Sequence, residues 1–396
     1  MVGAGYGQVP AIKAAMELGL TAIVVDRDPF GPGMQLADYA LTVDVTDIES
    51  IVAAAYDHAV IGAMTMQSDI GVPAVGAVVD ALRLPGCGKA VAERCSNKIL
   101  TREAFAREGV PQPLFRVVKT VDEALQAADE IGFPCIIKAP DSSGSRGVAR
   151  VNIRADVSAA FQEANRFTRG SEILVEEYIS GLEIGAQAFS VNGSCDVVLV
   201  HDDELSEPPH MIPIAHAFPA SLSPQDMAKV KSGVSACVEA LGITEGPSNI
   251  DLIIDSEGNP RIIEVGARIG ATCLPELVHY HTGIDWTRAA VQSACGIKPD
   301  LRSRRSQPCA AFILESRQDG VMSDYQLPSE WVEHPDVLEW EFTAKPGERV
   351  SCLRKGTDRV GKVVTRGIST KSAIDLARKF RDAFQVQVGD DLGASE

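Results

Sequence analysis

Apolar residues recur along this chain in short runs separated by amphipathic stretches. Residues 21–26 (TAIVVD) make a run of strand length ending in an acid, and residues 10–18 before them set Ile12, Ala15, Met16 and Leu18 on one side of a helix. Strand-like runs at 39–43 and 61–65 alternate with helical spacing at 48–59 and 75–84, which predicts a doubly wound α/β layer over residues 1–88. From Lys89 the pattern changes. One amphipathic helix is predicted over 90–109, then a strand at 114–118, a helix at 121–131, strands at 135–138 and 148–152, a helix at 155–167 and a strand at 172–179. A hairpin of 183–191 with 195–201 turns at Asn192-Gly193, and residues 205–218 read as a polar, proline-rich loop holding His210 and His216. A long helix over 223–242, a second hairpin pairing 249–254 with 261–265, and a helix from 284 to 295 follow. The remainder, from Asp300 to a last helix over 371–384, reads as a small α+β cap.

Candidate chemistry concentrates in residues 133–148 (FPCIIKAPDSSGSRGV), where an apolar run stops at Lys138 and a serine and glycine loop closes at Arg146 and Gly147. Glycines let backbone N–H groups approach an oxyanion, and a lysine at the strand end adds a point charge, so the stretch suits a phosphate chain. It equally describes a surface hairpin with an exposed lysine. In the later hairpin, a turn centred between Glu257 and Gly258 sets Asp251 opposite Glu264. Two carboxylates facing each other across a ladder repel unless a cation lies between them, and hard oxygen donors suit Mg²⁺. A solvated pair on an exposed face is the other reading, and a slip of one residue would part the two.

Two glycine clusters invite other readings. Gly3, Gly5 and Gly7 precede the strand that ends at Asp26, as in a nicotinamide-binding oxidoreductase, but the third fingerprint glycine falls at Gln8. The first strand of that layer is expected to extend upstream of Met1. Residues 84–89 (LPGCGK) lack the first glycine of a Walker loop, Arg83 standing in its place.

Composition narrows the class. The 396 residues suffice for two or three domains, and a net charge of −17 argues against a nucleic-acid or anionic-membrane binder, which needs basic faces. Nine cysteines without a C-x-x-C pair fit a reducing compartment, and no apolar run reaches membrane-span length, so the expected location is the cytoplasm.

Lys98, the Lys138 strand and its loop, the run from Val175 to Ile179 followed by Glu183, Asp251, and Glu264 through Arg268 stand in one order that resembles the ATP-grasp superfamily, most of all its carboxylate-amine ligases that join amino acids. The resemblance implies an N-terminal Rossmann-like domain (1–88), an ATP-grasp core of two α+β subdomains (89–296, with a lid over about 114–180) and a C-terminal α+β cap (297–396). It implies ATP held by Lys98 and Lys138, with Ser143, Gly144, Ser145, Arg146 and Gly147 folding over the phosphates. Glu176 would accept from the adenine amino group, the backbones of Glu177 and Ile179 would hold the adenine edge, and Glu183 the ribose. Asp251 and Glu264 would bind Mg²⁺, or Mn²⁺ in its place, although Gly266 stands where the family has an asparagine ligand. Arg268 would face the carboxylate being phosphorylated, and the turn at Gly270, Ala271 and Thr272, with His216, would meet the substrates. The implied activity is an ADP-forming ligase that activates a small carboxylate as an acyl phosphate and joins it to an amine; a homodimer is expected. Formate-using or biotin-free carboxylase chemistry, a nicotinamide oxidoreductase and a non-catalytic ATP-binding regulator are the alternatives. No Ala-Met-Lys-Met biotin site is present.

Overall fold

The computed structural model describes residues 1–142, 144, 146–207 and 210–389, which divide into two compact units. The first comprises residues 1–198, 223–271 and 287–300, and the second residues 199–222, 272–286 and 301–396. Residues 1–88 thus fall in one unit with most of 89–300, while 199–222 and 272–286 fall in the other with the C-terminal residues. Among the described residues no helix is long and apolar enough to cross a membrane, and all nine cysteines are free.

The first unit opens with α1 (Val9–Glu17), β1 (Ile23–Asp26), β2 (Tyr39–Thr42), α2 (Ile48–Asp57) and α3 (Val72–Leu82). β1 and β2 pair in parallel, and Val2 bridges to Val25. The strand expected at 61–65 does not form; the Met64 carbonyl accepts from Val2 N, and Thr65 Oγ1 donates to the Val2 carbonyl. Val2, Val25, Ile51, Ala55, Ala74 and Val78 make the core of this layer. Asp26, the acid on which a nicotinamide reading depended, accepts from the backbone N–H groups of Ala4 and Asp28 at 2.8 and 3.0 Å, so its carboxylate braces the glycine turn.

The helix expected over 90–109 is two, α4 (Lys89–Ser96) and α5 (Lys98–Glu108). Asn97 between them is extended, and its side chain accepts from Ile99 N at 2.9 Å, capping the second helix. An antiparallel four-stranded sheet in the order β3-β6-β4-β5 follows, from β3 (Phe115–Val118), β4 (Cys135–Lys138), β5 (Val148–Val151) and β6 (Ile173–Glu177), with α6 (Val121–Ile131) and α7 (Val157–Phe167) packed on it. β7 (Gly181–Val191) pairs with β10 (Gly246–Asp255), and β10 with β11 (Pro260–Gly266). Pro111 accepts from Ile262 N, and α8 (Pro224–Leu241) lies against the back of this sheet.

The second unit begins within β8 (Ser194–Leu205) and continues into β9 (Pro213–Phe218). The loop expected over 205–218 is therefore partly strand: Pro213 sits at the first position, where a missing N–H is tolerated, and residues 215–217 pair with both β8 and β12 (Cys309–Leu314). The sheet continues through β16 (Gly361–Arg366) to β14 (Val337–Phe342). A smaller sheet joins β15 (Arg349–Val350), β13 (Gly320–Gln326) and β17 (Gln385–Gly389). With α9 (Leu274–Thr282), the short α11 (Ser329–Val332) and α12 (Thr370–Ala383), these strands enclose a core around Phe312, Val363 and Phe380. α10 (Trp286–Ala294) returns the chain to the first unit.

Candidate active site

The Asp251–Glu264 pairing forms as expected: the two residues are direct partners across β10 and β11. A bulge just beyond shifts Leu252 to Ile262, so the register reckoned from the turn holds at the carboxylates and changes by one nearer the turn. Asp251 accepts from Asn249 Nδ2 at 3.1 Å, and Asn249 in turn accepts from Gln187 Nε2 at 2.7 Å. Glu264 pairs with Lys98 Nζ at 3.0 Å, and the same ammonium donates to the Ser142 carbonyl at 2.7 Å. Lys98 thus links the hairpin to the start of the serine and glycine loop. Two juxtaposed carboxylates backed by an amide chain and faced by a lysine fit a divalent cation with phosphate oxygens beside it.

Deeper in the same unit, Glu176 is 2% exposed and both its oxygens are taken: Arg102 Nε at 2.6 Å and Lys138 Nζ at 2.6 Å. Burial alone would raise the carboxyl, but Arg102 and then Lys138 overcome it and hold its pKa at about 2. Burial lowers the Lys138 ammonium, with Glu176 countering only in part. Arg102 also donates to the Ile262 and Ile263 carbonyls at 3.1 and 2.8 Å, which ties α5 to β11. The Glu177 carboxylate accepts from Leu114 N at 3.1 Å, and its own N–H donates to the Leu114 carbonyl at 2.8 Å. Ile179 is buried, whereas Glu183 is exposed on β7.

The loop after β4 is closed where Ala139 N donates to Gly147 O at 2.9 Å. Gly147 has φ +66°, and a Cβ there would stand 2.9 Å from Phe167 Cβ, so this position requires glycine. Ser143 and Ser145 lie outside the described residues; Gly144 and Arg146 lie in the loop. A cavity of about 350 Å³ is lined by Lys98, Arg102, Arg146, Arg169, Asp69 and Glu264 among others. Its cations suit an anionic ligand despite the chain's overall negative charge.

Arg268 is held by a residue that the sequence did not single out. Its Nε and Nη2 meet the two oxygens of Asp69 at 2.7 and 3.1 Å, a bidentate pair across 199 residues. Burial would lower the Arg268 pKa, but Asp69 raises it, with Asp251 and Glu264 adding. Gly266 completes this arrangement: a Cβ there would lie 3.0 Å from Asp69 Oδ1 and 3.3 Å from Arg268 Cζ. The asparagine expected from the family resemblance would crowd this ion pair. Beyond it, Thr272 and Cys273 both take positive φ, +55° and +66°, before α9 starts, an unusual backbone for a β-branched residue.

The structure thus gathers Lys98, Lys138, Glu176, Glu264 and Arg268 with Asp69 and Arg102, of which only the last two were missed. Arg102 was findable, since it stands four residues after Lys98 on one helix face; Asp69 had no local signal. His216 is neither in a loop nor exposed: it lies on β9, 6% exposed, beside Asp203.

Two segments of the chain match known protein families. Residues 131–276 match the ATP-grasp domain, and residues 313–389 match the L-amino acid ligase C-terminal domain 2. The protein y4rH of Sinorhizobium fredii is 27% identical over 390 residues, covering 93% of this chain and 78% of that protein. Among solved structures, phosphoribosylglycinamide synthetase from Anaerococcus prevotii superposes with a TM-score of 0.83 at 25% identity over 98% of each chain. L-amino acid ligase from Bacillus licheniformis does so with a TM-score of 0.83 at 21% identity, again over 98% of each. The chain thus carries a segment that matches the ATP-grasp domain, followed by one that matches an L-amino acid ligase C-terminal domain.

Proposed function

We propose that the protein is an ATP- and Mg²⁺-dependent, ADP-forming ligase that joins a small carboxylic acid, of the amino-acid class, to an amine. The observation that carries this reading is the directly opposed Asp251 and Glu264, flanked by Lys98 and by an Arg268 fixed in place by Asp69. A carboxylate is a poor electrophile. Transfer of the γ-phosphoryl group to one of its oxygens gives an acyl phosphate, and the amine nitrogen then displaces inorganic phosphate to leave an amide. Bound between Asp251 and Glu264, Mg²⁺ would neutralise phosphate charge.

The chain's own groups supply the remainder. Asp69 takes Nε and Nη2 on one edge of the Arg268 guanidinium, and the remaining Nη N–H groups suit a carboxylate gaining a phosphoryl group. Lys98 and Lys138 serve the phosphates, and Arg146, which lines the same cavity as Lys98, adds a further cation. Glu176 keeps Lys138 and Arg102 in place. Gly270, Ala271 and Thr272 form the turn offered to the acid or amine.

Phosphate release measured with ATP and Mg²⁺ across a matrix of amino acids and small acids, with products identified by mass spectrometry, tests this reading. Release that requires both an acid and an amine and yields their amide is expected. ATP binding without turnover for every pair would instead indicate a nucleotide-binding regulator.

A further inference from the structure

A second polar cluster, in the other unit, is not used by the ligase chemistry. His201 and Asp203 stand two residues apart on β8 and so share one face of the strand. Asp203 lies directly across the ladder from His216 on β9. Nδ1 of His201 is 2.7 Å from Asp203 Oδ1, and Nδ1 of His216 meets the same oxygen. One donor atom from each of the three side chains falls within 4.8 Å of the others.

The cluster is built rather than incidental. His201 is 1% and His216 6% exposed, whereas the Asp203 side chain keeps 14% of its surface open, so the set is enclosed on the imidazole side and reachable from the carboxylate side. Phe218 packs its ring 5.1 Å from that of His201, and His281 stacks on Phe218 at 5.5 Å. Strands hold these side chains more rigidly than a loop would, and an apolar wall lowers the local dielectric.

We propose that His201, Asp203 and His216 bind a transition-metal dication of the zinc and cobalt class, on residues distinct from the Asp251–Glu264 pair. Two imidazoles with one carboxylate are the donor set such ions take, whereas Mg²⁺ prefers oxygen alone. Metal–ligand bonds of roughly 2.0 to 2.2 Å put donors on one ion roughly 3 to 3.6 Å apart. Small side-chain rotations that open the present Nδ1–Oδ1 spacings reach that separation, and the open edge of Asp203 leaves the remaining position to water.

The test uses the full chain, stripped with a chelator and titrated with Co²⁺ in saturating Mg²⁺, which keeps the carboxylate hairpin filled. One equivalent should bind and give visible ligand-field absorption. His216→Gln and Asp203→Asn should each weaken Co²⁺ binding by at least about tenfold, the loss seen when even an outer-shell partner is removed. Glu264→Gln should leave it unchanged. Circular dichroism without metal establishes that each variant is folded, and the near-isosteric Asp203→Asn serves if His216→Gln is not. Absence of stoichiometric Co²⁺ binding to the wild-type chain overturns the proposal whatever the variants do, and so does binding that survives at His216→Gln but is lost at Glu264→Gln.

Discussion

Glu176 shows how one side chain can serve stability and chemistry together. A carboxylate with Arg102 and Lys138 at 2.6 Å each, and almost no solvent, is tolerable only because both its oxygens are satisfied. Glu176→Gln would leave two buried cations short of a counter-charge. A loss of roughly 3–5 kcal/mol in urea unfolding is expected, with Lys138 displaced from its present position at the end of β4. The pH dependence has a definite sign. The carboxyl is held at about 2 in the folded chain, below its unfolded value of about 4.3, so folding favours the ionised form. Its contribution is complete above about pH 4.3 and is lost as pH falls through about 2. Acid unfolding of the wild type should show this loss, and Glu176→Gln should lack it.

At the scale of elements, the helix expected over 90–109 fails at one residue. Hydrophobic spacing runs through Asn97 without interruption, yet its side chain offers the α5 amides a better cap than continued helix would, and Lys98 N is left to bond the Pro140 carbonyl at 2.8 Å. The break aims Lys98 at Glu264 and the loop. Asn97→Ala should cost about 1 kcal/mol in thermal unfolding and reduce turnover more than it reduces stability. Elements with complete local signals were legible: 121–131 behind the Thr120 cap, and 135–138 as an apolar run ending at Lys138, coincide with α6 and β4. β9 was not legible, because its proline-rich approach resembles a loop and its partners β8 and β12 lie elsewhere in the chain. The turn at 256–260 was legible but its register was not: the pairs nearest it would set Asp251 opposite Ile263, and the bulge restores the pairing with Glu264.

For the whole molecule, the N-terminal layer does more than support the site. Met66 bridges to Ile269, and Gln67 N donates to the Ile269 carbonyl at 3.1 Å, which brings Asp69 to Arg268. A reading of the sequence that stopped at the motif-bearing segment would leave that arginine without its anchor. Asp69→Asn keeps the shape and removes the charge; acid-dependent phosphate release should fall on the order of 100-fold, the scale for a lost preorganised contact, with ATP binding retained. Equal losses in both would move Arg268 to the nucleotide side.

Gly266 makes the Asp69–Arg268 pair readable from a third position. A Cβ there would stand 3.0 Å from Asp69 Oδ1 and 3.3 Å from Arg268 Cζ, the ends of two flexible side chains, so a side chain at 266 is accommodated only as they shift. Gly266→Ala is thus a probe of that ion pair which alters neither of its charges.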